Sequence, residues 1–224
     1  MKKLCIIGVG GTAKDLIDLL GLLSRTAVPE NQWDCIGILD DDEALQGGKY
    51  AGIPVIGKLA DAASLGDDVS FAFAIGSPRT VGKRKTIFDG LGIKRERFPS
   101  FIHPKAIIEE TASIGNGVIV FPGVVVSGSA RVGDFNIILP NSVINHDSTL
   151  GDFTCLASGV CISGHVAVGN DSYIGANAAL RDGIRVGAGS LVGLGSAVVS
   201  DIPSGCTAYG VPARVIPSVP ISSP

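Results

Sequence analysis

Runs of basic residues are missing from this chain. Its 18 Lys and Arg are outnumbered by 21 Asp and Glu, giving a formal net charge of -3. That argues against a nucleic-acid binder, which needs a phosphate-contacting basic patch. Long apolar runs are missing too. The amino-terminal "MKKLCIIGVGG" has only four apolar residues in a row before glycine. This is too short for the apolar core of a signal peptide and far too short to span a bilayer, so a cytoplasmic protein is expected. CxxC pairs are absent as well. Cys5, Cys35, Cys155, Cys161 and Cys206 are scattered and odd in number, mostly beside Ile, Leu or Val. They read as buried free thiols in a reducing compartment. Histidine is scarce, with only His103, His146 and His165. Their spacing fits no metal motif, and no metal is expected.

Glycine is abundant, at 31 residues, while aromatics make up 5% and hydrophobic residues 46%. The glycines follow no three-residue period, which excludes collagen. Small residues with many Val and Ile point instead to tightly wound strands and many turns.

Two halves follow different patterns. Residues 1–101 alternate strand and helix. "KLCIIG" is a strand, and "TAKDLIDLLGLL" sets Leu16, Leu19, Leu20 and Leu23 on one helical face. "WDCIGILDDD" and "VSFAFAIGS" are further strands, "IPVIG" a short one, "ADAASLG" a short helix, and "PRTVGKRKTIFDGLG" a helix opened by Pro78. The alternation predicts a small Rossmann-like parallel sheet covered by helices.

Residues 102–216 obey a six-residue period. Every sixth residue from Ile102 to Val198 is aliphatic, seventeen in succession. At ~30% Ile, Leu and Val, chance gives such a run about once in a billion. This is the hexapeptide parallel β-helix. Gly115, Gly133, Gly151, Gly169 and Gly187 add a period of 18, so three hexads make one triangular coil. At those glycines a tight turn or a positive φ is expected. Residues 217–224, "PSVPISSP", read as a flexible tail.

"GVGGTA", residues 8–13, fits G-x-G-x-x-A at a strand-to-helix turn, where glycines let backbone approach a phosphate. Asp40 closes the second strand and suits a ribose or sugar hydroxyl. NAD is the natural competitor, yet about 100 residues suit a single mononucleotide half and favour a sugar nucleotide. A glycine turn that only packs helix on sheet is the plain alternative. His146 is the third residue of its hexad and faces outward, between Gly128 and Gly164 in the adjacent coils. With Asp147 beside it, it suits a general base, against the alternative of a solvated surface pair. His165 lies one coil from Asp147, and His103 sits at the domain junction.

In this order, "IIGVGGTAKD", "GILDDD", "FAIGS", "FIHPKAII", "NHDSTLGDF", "SGVCISGHVAVG", "YIGANAAL" and "AYGVPARVI" resemble the sialic-acid O-acetyltransferase and UDP-4-amino-sugar N-acetyltransferase family over nearly all of residues 3–216. The resemblance implies a left-handed β-helix, acetyl-CoA as acyl donor, and a homotrimer with active sites between subunits. It implies His146 as base and Asp147 as its partner. Cofactor contacts then fall on Cys155, Gly164, Ala176 and Leu194, and sugar-nucleotide contacts on Gly10, Gly11, Thr12, Asp40, Asp41 and Gly76. Thr12 and Cys155 stand where the family usually has histidine. The expected activity is acetyl transfer to a nucleotide-linked amino sugar. A sugar O-acetyltransferase and a non-catalytic nucleotide-binding scaffold remain as alternatives.

Overall fold

A computed structural model describes residues 1–26, 28 and 32–216; the tail expected at 217–224 lies outside the described residues. The amino-terminal unit contains β1 (Lys2–Ile7), α1 (Gly11–Leu23), β2 (Trp33–Leu39), β3 (Lys49–Tyr50), β4 (Ile53–Gly57), β5 (Val69–Phe73) and α2 (Arg84–Gly90). The strand order is β3-β4-β2-β1-β5, with β3 antiparallel to β4 and the other pairs parallel. Central β1 is apolar on both faces, and Leu4, Cys5, Ile6 and Ile7 are each 0% exposed, as a covered parallel strand requires. Leu16, Leu19, Leu20 and Leu23 of α1 are buried against Leu4, Ile6 and Ala72.

Two helix expectations are corrected. "ADAASLG" forms 3-10 turns over Leu59–Ser64. The stretch from Pro78 does not form one helix: a 3-10 turn, Pro78–Thr80, precedes α2. Between them Gly82 takes φ +71°, which a right-handed helix cannot accommodate. Its N–H donates to the carbonyl of Asp171 in the second unit at 3.2 Å.

From Phe101 to Val198 the chain forms seventeen two-residue strands, and each periodic aliphatic is the second residue of one. The strands stack in parallel at intervals of 18 residues, for example Val125 on Val143 on Cys161. They build three faces: a first containing Phe101–Ile102, a second containing Ile107–Ile108 and a third containing Ser113–Ile114. The aliphatics fill the interior, and those from Val120 onward are at most 3% exposed. The carboxy-terminal hairpin, Thr207–Gly210 with Ala213–Ile216, adds to the first face and buries Ala208 and Ala213 in the same core. An otherwise open strand edge is thereby covered.

Positive φ does occur, but not at the periodic glycines. It falls at every sixth residue from Gly117 to Gly195, including Phe135, Asp147, Phe153 and His165. The periodic glycines are needed for close approach between coils. A Cβ on Gly169 would lie 2.5 Å from the Ala188 nitrogen and 2.9 Å from the Gly187 carbonyl carbon. Backbone cannot step aside as a side chain can, so Gly169→Ala should destabilise the β-helix by about 1–3 kcal/mol, read by urea denaturation. Inside the corners, buried hydroxyls bridge coils. Ser148 Oγ donates to the Ser163 carbonyl at 2.7 Å and accepts from the Val166 N–H at 3.1 Å. Buried Asn136 likewise donates to the Gly133 carbonyl at 2.8 Å and accepts from the Thr154 N–H of the next coil at 2.7 Å.

Side chains alternate along a strand, so the residue before each inner aliphatic faces out. On the first face this outer row meets the amino-terminal sheet: Phe101, Ile119, Ile137 and Cys155 pack with Leu4, Ile6 and Ala72. Phe135 and Phe153 stack at 4.9 Å beside Phe73, Phe88 and Phe98. The second face's outer row is Ile107, Val125, Val143, Cys161, Ala179 and Ala197, all apolar and none buried. The third row reads Ser113, Arg131, Thr149, Ala167 and Arg185.

Arg84 locks the two units together. Its side chain is 2% exposed and donates to the carbonyls of Ile75 and Phe135, each at 2.7 Å, and of Phe153. Burial pulls the guanidinium pKa down to about 10, opposed by Cys155 and Asp171.

Candidate active site

The glycine-rich turn after β1 opens on a cavity of about 500 Å3. Gly10, at φ 157° and ψ -176°, caps α1 in a conformation largely reserved for glycine. The first turn of α1 therefore points into the cavity with no side-chain cap, a setting that favours an anion. All six residues expected at the sugar nucleotide, Gly10, Gly11, Thr12, Asp40, Asp41 and Gly76, line this space. The carboxylate of Asp40 is already engaged, accepting from the Val9 N–H at 2.6 Å and the Asp42 N–H at 2.9 Å. It shapes the loop as well as facing the cavity. Asp41 accepts from the Leu59 N–H at 2.9 Å. Sequence reasoning missed Asp15, Ser77 and Thr80, which share the lining. Burial, then the neighbouring Asp18, raises the pKa of Asp15. Among the described residues no Lys or Arg lines the cavity, which leaves backbone N–H groups and the hydroxyls of Thr12, Ser77 and Thr80 as donors there. The β-helix contributes Leu139, on the corner between the first and second faces.

Further along that corner Ala176 and Leu194 share a groove of about 280 Å3 with Pro78 and Tyr173. Cys155 is not part of it, and the expectation that it meets the cofactor does not fit its position. It is 2% exposed beneath the amino-terminal sheet, where burial pushes the thiol up to about 11 against the opposing pull of Arg84. Cys5 is likewise buried and pushed up to about 12. Cys161, expected to be buried, is exposed on the second face.

Gly164 lies on the next corner, between the second and third faces, with His146. Nδ1 of His146 is 2.9 Å from Asp147 Oδ2, and the side chains are 60% and 47% exposed. With Nδ1–H given to the carboxylate, Nε2 carries a free lone pair. The imidazole lies across Gly164, where a Cβ would come within 2.7 Å of Cε1 and 2.9 Å of Nε2. The outward histidine inferred from the register thus rests on one glycine of its pair. Over Gly128 the neighbours are Thr111 and Glu109, and the Gly128 N–H is taken by Glu109 at 2.6 Å. The Gly164 N–H has no acceptor among the described residues.

His165 joins this pair. Its ring stands edge-on to His146 with centroids 5.1 Å apart. Its N–H donates to the His146 carbonyl at 3.1 Å. It stands one coil from Asp147, as the register predicts, at the equivalent corner position. His103 sits at the junction, lining a hollow with Asp15, Asp18 and Leu22 of α1 and with Phe121, Pro122 and Pro140.

Leu139 and His146 belong to one coil, so they stand at the same height on successive corners, separated by the second-face strand Val143–Ile144. Within one chain, the cavity and the His–Asp pair occupy different edges of the prism.

A Rossmann-like unit carrying a glycine-turn cavity is thus joined to a hexapeptide β-helix with an outward His–Asp pair. Residues 3–91 match the model of the PglD N-terminal domain. The acetyltransferase domain of PglB from Neisseria gonorrhoeae FA1090 is 31% identical, with a TM-score of 0.82 over 96% of this chain and 100% of that one. PerB from Caulobacter crescentus, solved with CoA and GDP-perosamine, is 30% identical, with a TM-score of 0.80 over 96% and 97% of the two chains. UDP-N-acetylbacillosamine N-acetyltransferase of Bacillus subtilis (strain 168) is 34% identical over 123 residues, 54% of this chain and 51% of that protein. The aligned stretch thus spans about half the length of that curated relative. The chain belongs to the PglD-like family of acetyltransferases, with an amino-terminal Rossmann-like domain and a left-handed β-helix.

Proposed function

We propose that the protein transfers the acetyl group of acetyl-CoA to the amino group of a sugar carried on a nucleoside diphosphate. Residues 1–101 hold the sugar nucleotide and residues 102–216 the acetyl donor. His146 Nε2 takes the proton from the amine as its nitrogen attacks the thioester carbonyl carbon. Asp147 holds the ring and favours the imidazolium that forms. The unpaired Gly164 N–H donates to the oxyanion of the tetrahedral intermediate. The carbon–sulfur bond then breaks and CoA leaves as its thiol, protonated from His146. The observation that carries this reading is the His146–Asp147 pair, with Nε2 free in the same coil as the cavity-lining Leu139. The relative solved with CoA and GDP-perosamine supports an amine acceptor over a hydroxyl.

The site is completed between neighbouring copies of a homotrimer. Base and cavity share a height but not an edge, and the apolar, uncovered second face lies between them. Burying Ile107, Val125 and Val143 against the next copy sets one copy's His146 beside its neighbour's cavity. Ala176 and Leu194 then face CoA from the corner above that cavity. The glycine-rich α1 terminus, with its free N–H groups, takes the diphosphate.

The test is incubation of UDP-, GDP- and dTDP-linked 4-amino sugars, and separately free sialic acids, with labelled acetyl-CoA. Label transfer to the amine of a nucleotide sugar is the expected result. Transfer only to sialic acid hydroxyls would replace this reading with the O-acetyltransferase, and no transfer would favour a scaffold. Gly164→Ala supplies an internal check. Its methyl displaces the His146 ring, so kcat should fall by about tenfold or more while CoA still binds.

A further inference from the structure

We infer that His146, Asp147 and His165 form a binding site for a divalent transition metal of the Zn2+ type, and that filling it switches the acetyl transfer off. One ligand atom from each residue lies within 4.8 Å of the others. Two imidazole nitrogens and a carboxylate oxygen are a donor set that suits Zn2+ and poorly suits Mg2+.

The β-helix fixes where these donors start. Asp147 and His165 occupy equivalent corner positions in successive coils, at φ 58° and 56°. Backbone bonds hold the corner: the Asp147 N–H donates to the Gly128 carbonyl at 3.3 Å and the His165 N–H to the His146 carbonyl at 3.1 Å. Gly164, having no side chain, lets the His146 ring lie toward His165. The backbone is therefore pre-organised. Only exposed side-chain rotamers need to adjust to bring the donors up to about 1.5 Å closer, to the separations of a tetrahedral site. The side exposed to solvent leaves a fourth position for water.

Inhibition follows from the imidazole having only two nitrogens. A cation on Nε2 of His146 occupies the lone pair that takes the substrate's proton. A cation on Nδ1, beside Asp147, leaves the ring proton on Nε2. Either way no base remains. The inhibitory half of this proposal rests on the acetyltransferase reading; the binding half does not.

The experiment titrates the full chain, freed of metal by a chelator, with Zn2+ alone in a calorimeter, beside a His165→Asn variant. Asparagine tolerates the left-handed backbone, and an unchanged thermal melt confirms the fold. The wild type should bind one Zn2+ per chain, and His165→Asn should bind it about tenfold more weakly or worse. In the acetyl-transfer assay Zn2+ should inhibit the wild type and spare His165→Asn. Equal Zn2+ affinity in the two proteins, equal inhibition, or Mg2+ binding as tight as Zn2+ would overturn the proposal. If no transfer activity is found, the calorimetric comparison still decides the site, separately from the reaction.

Discussion

His146→Ala is expected to lower kcat for acetyl transfer by about 10²–10⁴-fold, with acetyl-CoA binding largely intact. The side chain is 60% exposed and its ring's hydrogen-bond partner is Asp147. The corner is held by backbone bonds that the substitution does not touch, so the thermal melt should not move. Asp147→Asn should have a smaller effect. Asparagine accepts the φ of 58° and still accepts from Nδ1–H, but the charge favouring imidazolium is gone. Steady-state kinetics with CoA calorimetry separates the two contributions. A His146→Ala enzyme with near-wild-type kcat would remove the base from the account.

The largest effect on stability is expected at Arg84. Arg84→Ala strands the carbonyls of Ile75, Phe135 and Phe153, which the guanidinium now satisfies in a dry junction. A buried unsatisfied carbonyl costs about 1–3 kcal/mol, and relief of the guanidinium's own desolvation offsets part of the sum. A net loss of about 3 kcal/mol is expected. Arg84→Lys should rescue little, because an ammonium on a single stem cannot reproduce a planar fork spread over three acceptors. Phe135 and Phe153 sit at φ 58° and 59°, a costly backbone for bulky residues that packing at this junction must offset. Urea denaturation followed at Trp33 should show the amino-terminal sheet detaching before the β-helix melts. A variant as stable as wild type would mean the junction is held by the phenylalanines alone.

These two sites differ in how far the sequence announced them. The interior of the β-helix could be read residue by residue, because a six-residue period admits one inward position. The same register put His146 outside and stacked His165 over Asp147. The glycine turn marked the cavity through backbone chemistry that few other residues allow. Cys155 failed for a definite reason. Periodicity says that the residue before an inner aliphatic faces out, but not which of the three outer rows another domain covers. Cys155 and Cys161 hold equivalent places in their hexads, yet one is buried under β1 and the other exposed. Arg84 sits in "GKRKT" like any surface helix cation, and only the junction reveals its acceptors. The period of 18 marks glycines that open each corner, but the positive φ falls two residues further on. Their role is contact between coils 18 residues apart, and a local turn preference is no guide to that.

In the proposed homotrimer, one copy's cavity works with the next copy's His146. The most direct test co-expresses two variants that should each be inactive alone. His146→Ala lacks the base. Gly11→Glu puts a carboxylate at the α1 terminus, where Gly11 has open space around it, and repels the diphosphate. In mixed trimers, random assembly gives an intact base and an intact cavity at about a quarter of the shared sites, and the measured rate should recover to about that fraction of wild type. Mixed trimers that form yet recover no activity would contradict a site shared between copies.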